Sequence, residues 1–332
     1  MHLDECDLDG VDMFSMAPFE RNRPEDEWVD ARQTGAIPAG LYDLYGRANF
    51  LSFGTAPRFL ADADNLLFSY FGLVLRSIQE SLVDAHQQAD LFAAEQELVY
   101  DLMKKLRGEK WSKDAAPKAR RHFRDLLMAL QTAFDSLADV IAIFFPGRIQ
   151  GLKVGRSQFS KIEVWAGKPF STSRLIVTPA DFYLKKLHDA IAPLIIVPAP
   201  ETDWLPMMRL LRNKVSHLGQ PLFRQFGLPS ARDGRLFAFI PREWPYLWEK
   251  HIKPAGTIPI PIPELLGDSL IHEDIVTYSR GLLVKVKTVI AGASVVLNET
   301  YDQFKDLPEN KVALRELEGS SEKYKFENFV GS

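Results

Sequence analysis

Arg212, Asn213 and His217 fall within six residues of one another, in the stretch Leu210 to Gly219 that reads LLRNKVSHLG. An arginine presents a planar fork of donors that fits phosphate oxygens. A histidine, with an ordinary pKa of ~6.5, can take up or release a proton near neutral pH. An asparagine between them can orient either group. Together they make a compact set for cleaving a phosphodiester without a metal ion. His would take the 2′-hydroxyl proton or protonate the leaving 5′-oxygen, and Arg would hold the charge that builds on the phosphate.

Geometry limits what one copy of this stretch can do. On an ideal helix Asn213 and His217 are one turn apart and share a face, whereas Arg212 and His217 leave the axis about 140° apart. The two heads converge only if the helix ends near His217, for which Gly219 is a candidate C′ residue, or if a second copy of the helix supplies the partner group. A plainer reading stands beside the chemical one. Arg and His in a last turn also complement the helix dipole.

Composition frames the rest. The 332 residues are 46% apolar and 25% charged, enough for one large domain or a domain with elaborations. The net charge of −4 exerts no global attraction on nucleic acid, so RNA contacts must come from local patches. Cys6 is the only cysteine. That excludes an intramolecular disulfide, speaks against a cysteine zinc site, and fits a reducing cytoplasm. The acidic N-terminus, with Asp4, Glu5, Asp7, Asp9 and Asp12, has no apolar run of signal-peptide type. The apolar segments elsewhere are short or broken by charge, as by Asp139, Lys285 and Lys287, so no membrane span is expected.

The elements that must position the motif read as helices. Residues 1–62 show little helical period and read as an irregular extension packed through Phe14, Phe19, Trp28, Tyr42 and Tyr45. Apolar residues at three- and four-residue spacing predict helices over 64–106, 117–145, 179–196, 203–217 and 269–304. The first two are long and joined by a short linker, which makes an antiparallel pair the simplest packing. Ile162 to Trp165 and Leu175 to Val177 are β-prone runs around Gly167 and Pro169, consistent with a small hairpin. Residues 219–267 read as an extended insertion with a plausible strand at Leu236 to Ile240, and 308–332 as a charged tail. The expected fold is all-α, a helical bundle over 63–307 with small extended or hairpin elaborations. No Walker A loop, GxGxxG, HExxH or GxSxG occurs.

The run Arg212-Asn213-Lys214-Val215-Ser216-His217 resembles the Arg-Asn-x-x-x-His signature of the HEPN superfamily. The resemblance extends plausibly over residues 63–305, but only the six-residue motif is specific. It implies an all-α domain of a kind that includes many metal-independent ribonucleases of prokaryotic defence and toxin systems. In that family the motif lies between long bundle helices and two protomers form the active site. By match to the motif, Arg212 and His217 would be catalytic and Asn213 supportive, with RNA as substrate, no cofactor and no metal. A homodimer and a regulatory or antitoxin partner are implied as well. Family toxins paired with nucleotidyltransferase antitoxins carry a tyrosine two residues after the histidine, where this chain has Gly219. Some superfamily members bind nucleotide or protein without cleaving, and that silent reading is the alternative.

Substrate contacts are expected from Lys214 and Ser216 within the motif and from Arg120, Arg121 and Arg124. Those arginines belong to the most basic stretch, which includes Lys104, Lys105, Arg107, Lys110, Lys113 and Lys118 with Trp111, His122 and Phe123 among them. That stretch reads either as a surface tracking phosphates or as a solvated junction between helices. Glu95 and Glu97, like Asp135 and Asp139, read as helix-surface carboxylates rather than as a metal pair, and His251 and His272 as surface residues.

Overall fold

A computed structural model describes residues 35–53, 62–104, 115–170, 179–196, 204–217, 228–229, 236–239, 253–255 and 270–306. The described chain is predominantly helical. Its helices are α1 (Ala39–Phe53), α2 (Asp62–Lys104), α3 (Ala116–Phe144), α4 (Phe159–Ala166), α5 (Pro179–Ile195), α6 (Trp204–His217) and α7 (Ile275–Asp306), with one further turn at Lys253–Ala255.

The α2–α3 pair is the largest helix contact in the molecule. Its direction can be read from the side chains that meet. Tyr70 meets Asp139, Ser77 meets Ser136, Gln88 meets His122 and Glu95 meets Lys118. Numbers rise on α2 as they fall on α3, so the pair is antiparallel, as the short linker predicts. Leu75, Ile78, Leu82, Ala85 and Phe92 are fully buried on α2, and Phe123, Leu127, Leu130, Phe134 and Leu137 on α3. These are the helical stripes visible in the sequence.

The final helix α7 seals the other side. Val286, Val289, Ile290, Ala293 and Leu297 are buried along it. Helix α1 runs in the same direction as α7: Asn298 Nδ2 donates to the Gly40 carbonyl at 2.6 Å, and Arg47 sits 5.7 Å from the Tyr301 ring centre. Gly40 allows this close approach, because a Cβ at that position would lie 3.3 Å from Ser294 Cβ and the helices would have to part slightly. Helix α5 runs antiparallel to α7, with Lys186 paired to Glu299 and Leu194 packed on Gly292.

Three expectations need correction. Residues 39–53 are helical, although 1–62 read as irregular. Ile37, Leu41, Leu44 and Tyr45 bury one face, so the expected packing through Tyr42 and Tyr45 holds, while Phe14, Phe19 and Trp28 lie outside the described residues. Gly40 and Gly46 blur this helical pattern in sequence. Second, Ile162 to Trp165 lies within helix α4 rather than in a hairpin. Phe159, Ile162 and Ala166 form its buried face, and the Asp135 carboxylate caps it from α3 by accepting the Phe159 N–H at 2.9 Å. Leu175 to Val177 lie outside the described residues. Third, α7 begins at Ile275 because Leu270–Asp274 pairs as strand β3.

That strand joins a small antiparallel sheet, in the order β1 (Leu228–Pro229), β2 (Leu236–Phe239), β3. Phe237 is in register with Asp274. Asp274 then ends the strand and starts the helix: its Oδ2 accepts the Thr277 N–H at 3.2 Å, while Oδ1 accepts the Tyr100 hydroxyl at 2.6 Å.

Two helical stretches, Ala116–Phe144 and Ile275–Tyr301, are by length and composition apolar enough to cross a membrane, despite the interrupting charges. Of their most apolar windows, 67% and 50% are buried inside the fold. Burial among other helices accounts for this apolarity equally well.

Asp139 does more than its helix-surface reading allowed. Its Oδ1 accepts the backbone N–H groups of Gly155 at 3.1 Å and Ser157 at 3.0 Å, and Oδ2 accepts the Tyr70 hydroxyl at 3.1 Å. The pKa of that hydroxyl is pushed well above the usual tyrosine value, first by burial and then by the Asp139 charge. Gly155 has φ +76°, a left-handed conformation that lets its N–H turn toward the carboxylate. Asp139→Ala should therefore destabilise the protein by about 2–3 kcal/mol through the lost charge-assisted bonds. A urea midpoint equal to that of the parent protein would contradict this assignment.

Candidate functional site

Helix α6 carries the motif and is fastened along its first half. Trp204, Leu205, Met207, Met208 and Leu211 are buried, which places one side of the helix against the core. Trp204 is the principal anchor. Its ring lies 6.2 Å from Phe134 on α3, its Nε1–H donates to the Leu194 carbonyl of α5 at 3.2 Å, and Lys285 of α7 sits 5.9 Å from the ring centre. Phe134 in turn stacks on Phe159 at 4.1 Å with the planes 10° apart, so α3, α4 and α6 share one aromatic cluster.

Polar groups occupy the other side of α6. Arg212 is half-buried and Asn213 exposed, and Arg212 Nη1 donates to Asn213 Oδ1 at 2.8 Å. Adjacent helical residues do not face each other at the Cβ level, so the long guanidinium must fold back to make this bond. The bond fixes one end of the donor fork and leaves the Asn213 amide nitrogen directed away from that contact. Helix α6 is described as far as His217. Lys214 and Ser216 lie within the same helical turns as His217, and their side chains, like that of His217, are outside the described residues.

The three arginines expected to contact substrate stand on a different element. Arg120, Arg121 and Arg124 lie near the start of α3, which packs against α6. Arg121 and Arg124 are exposed and Arg120 is half-buried. Arg124 Nε is paired with Asp125 at 2.8 Å, an exposed pair worth little in water. His122, inside the basic stretch, is tied to Gln88 at 2.8 Å and serves the helix junction. Residues 105–114 lie outside the described residues, as does His251, and His272 lies in β3.

Of the four acidic residues Glu95, Glu97, Asp135 and Asp139, three are engaged in structural work. Asp135 and Asp139 hold the loop and the start of α4, and Glu95 lies 3.9 Å from Lys118. Among the described residues no three His, Cys, Asp or Glu side chains gather as a metal site would require.

Two residues near the motif escaped the sequence reading. Arg209 stands three and four residues before Arg212 and Asn213, on the same side of α6. Its Nη2 donates to Glu163 Oε1 of α4 at 2.8 Å and lies 2.6 Å from Oε2. Helical spacing could have singled out Arg209. The partnership with Glu163, across 46 residues, has no local signal.

Compared with protein-family models, curated proteins and solved structures, the chain finds no match in any of the three.

Trp204→Phe tests the anchoring of α6. The ring contacts with Phe134 would largely persist, but the bond to the Leu194 carbonyl would go. A loss of about 1 kcal/mol in equilibrium unfolding is expected. Trp204→Ala, which also leaves a cavity, should cost about 3 kcal/mol or more. Equal losses for the two variants would show that the indole N–H, not the ring, carries the contact.

Proposed function

We propose that this protein is a metal-independent endoribonuclease of HEPN type, a defence or toxin effector acting in the cytoplasm. The observation that carries the reading is the joined pair Arg212 and Asn213 on the polar side of helix α6, in which His217 follows Asn213 by one turn. The resemblance of these residues to the HEPN signature and the predominantly helical body support it.

In this mechanism His217 takes the proton from a ribose 2′-hydroxyl. The 2′-oxygen attacks the adjacent phosphorus, and the bond from phosphorus to the 5′-oxygen breaks as that oxygen gains a proton. The products are a 2′,3′-cyclic phosphate and a 5′-hydroxyl. Arg212 donates to the non-bridging oxygens, where charge grows most in the transition state. Asn213 holds the guanidinium in place through the bond already described. Lys214 and Ser216 contact the substrate backbone, and Arg120, Arg121 and Arg124 extend the path of positive charge along α3. A homodimer resolves the 140° divergence of Arg212 and His217, because a two-fold axis brings one copy's arginine to the other's histidine. A regulatory or antitoxin partner would cover the same face.

Cleavage should persist in EDTA and leave cyclic phosphate ends. A substrate with deoxyribose at the scissile nucleotide should survive. His217→Ala should abolish turnover with little change in melting temperature. Arg212→Lys should lose most activity, since an ammonium cannot reproduce the planar fork. EDTA-sensitive cleavage, or equal cutting of the deoxy substrate, would move the chemistry to a metal site.

Assembly gives a separate check. Sedimentation should find a dimer, and mixing His217→Ala with Arg212→Ala protein should restore part of the activity through hybrid sites. A monomer that cleaves RNA at full rate would contradict the shared site.

A further inference from the structure

The Arg209–Glu163 ion pair stands between the motif helix and its nearest polar neighbour. Both side chains are largely withdrawn from water, Arg209 being 30% exposed and Glu163 17%. Glu163 sits on α4, whose start is capped by Asp135 of α3 and whose Phe159 stacks on Phe134. The carboxylate is therefore carried on an element that is itself tied to the core helix α3. Trp204 and the buried apolar residues up to Leu211 hold one side of α6 against the core, but apolar contacts are non-directional and resist a small roll about the helix axis only weakly. The Arg209–Glu163 pair acts off the axis, on the polar side, where it resists that turn.

The consequence falls on the motif because of spacing. Arg212 and Asn213 follow Arg209 by one helical turn. A turn of about 10° swings a guanidinium carried ~8 Å from the helix axis by more than ~1 Å. Misplacement on that scale can cost about 100-fold in a reaction that depends on orientation.

We propose that Glu163 and Arg209 are positioning residues for the motif, setting the rotation of α6 and so the place where Arg212 and Asn213 present their donors. The effect on catalysis rests on the ribonuclease reading; the positioning itself does not. Removing either charge lets α6 turn, whereas exchanging the two charges retains the bridge.

The experiment compares Glu163→Gln, Arg209→Gln and the exchanged double variant Glu163→Arg/Arg209→Glu in the full-length protein. Glu80→Gln, which removes an exposed pair with Arg76, serves as the control. The first readout is the side-chain amide resonance of Asn213, which needs no activity. It should shift in both single variants, return toward the parent position in the exchanged variant and stay put in the control. The second readout is RNA cleavage, where kcat should fall about 10- to 100-fold in the single variants with KM nearly unchanged. Should Glu163→Gln fail to fold, Glu163→Asp keeps the charge on a shorter stem and should give a smaller shift of the same sign. Resonances that do not move in the single variants, or shifts that the exchanged pair leaves uncorrected, would overturn the proposal. A parent protein that cleaves no RNA would overturn the ribonuclease reading instead, while the Asn213 resonance would still decide the positioning.

Discussion

Two carboxylates one turn apart on α3 organise everything that reaches the motif. Asp135 and Asp139 accept the backbone N–H groups of Phe159, Gly155 and Ser157, while the second oxygen of Asp139 also takes the Tyr70 hydroxyl of α2. Charge-assisted bonds of this kind are stronger than neutral ones, and breaking them leaves orphaned donors. They convert the chain between α3 and α4 into a fixed turn and set where α4 begins. Glu163 then lies at a defined height beside α6. From the core helix to the motif the order is α3, Asp135, α4, Glu163, Arg209, Arg212.

The same economy of polar groups recurs in α7. Ser279, Ser294 and Thr300 are fully buried, and each returns its hydroxyl to a carbonyl three or four residues back, at Val276, Ile290 and Val296. Such bonds let a helix keep small polar residues inside without partners from elsewhere. Small side chains at these positions also allow close approach: Ser294 is where α1 meets α7 at Gly40. Thus α7 can be nearly membrane-like in composition and still be the central packing surface of a helical body.

What the sequence revealed followed from how local each cause was. Helices α2, α3, α5 and α6 are legible because their buried residues recur at the helical period and their ends carry Pro or Gly signals nearby. Helix α1 was hidden by Gly40 and Gly46; the place of Gly40 is explained once Ser294 lies opposite it, whereas a side chain at Gly46 would meet open space. Helix α4 was hidden because Ile162, Val164 and Trp165 favour strands, and the decision is made by a cap from Asp135, 24 residues away. The motif was legible as Arg212, Asn213 and His217 by residue type and spacing. Arg209 was not singled out, since an arginine gains meaning only from Glu163 across the gap.

The distribution of anchors along α6 separates stability from chemistry. Its contacts with the aromatic cluster and with Leu194 gather at Trp204, and Leu211 is fully buried one residue before Arg212. The Arg-Asn pair begins at the next residue. Exposed Asn213 can be changed with little effect on the core, because surface substitutions away from packed groups cost little. The reverse does not hold. Any change that lets the first half roll moves the second half with it, since a helix transmits rotation along its length as a rigid rod. Under the proposed reading, groups on α3 and α4 set where the Arg212 and Asn213 donors point, through the bridge between Arg209 and Glu163.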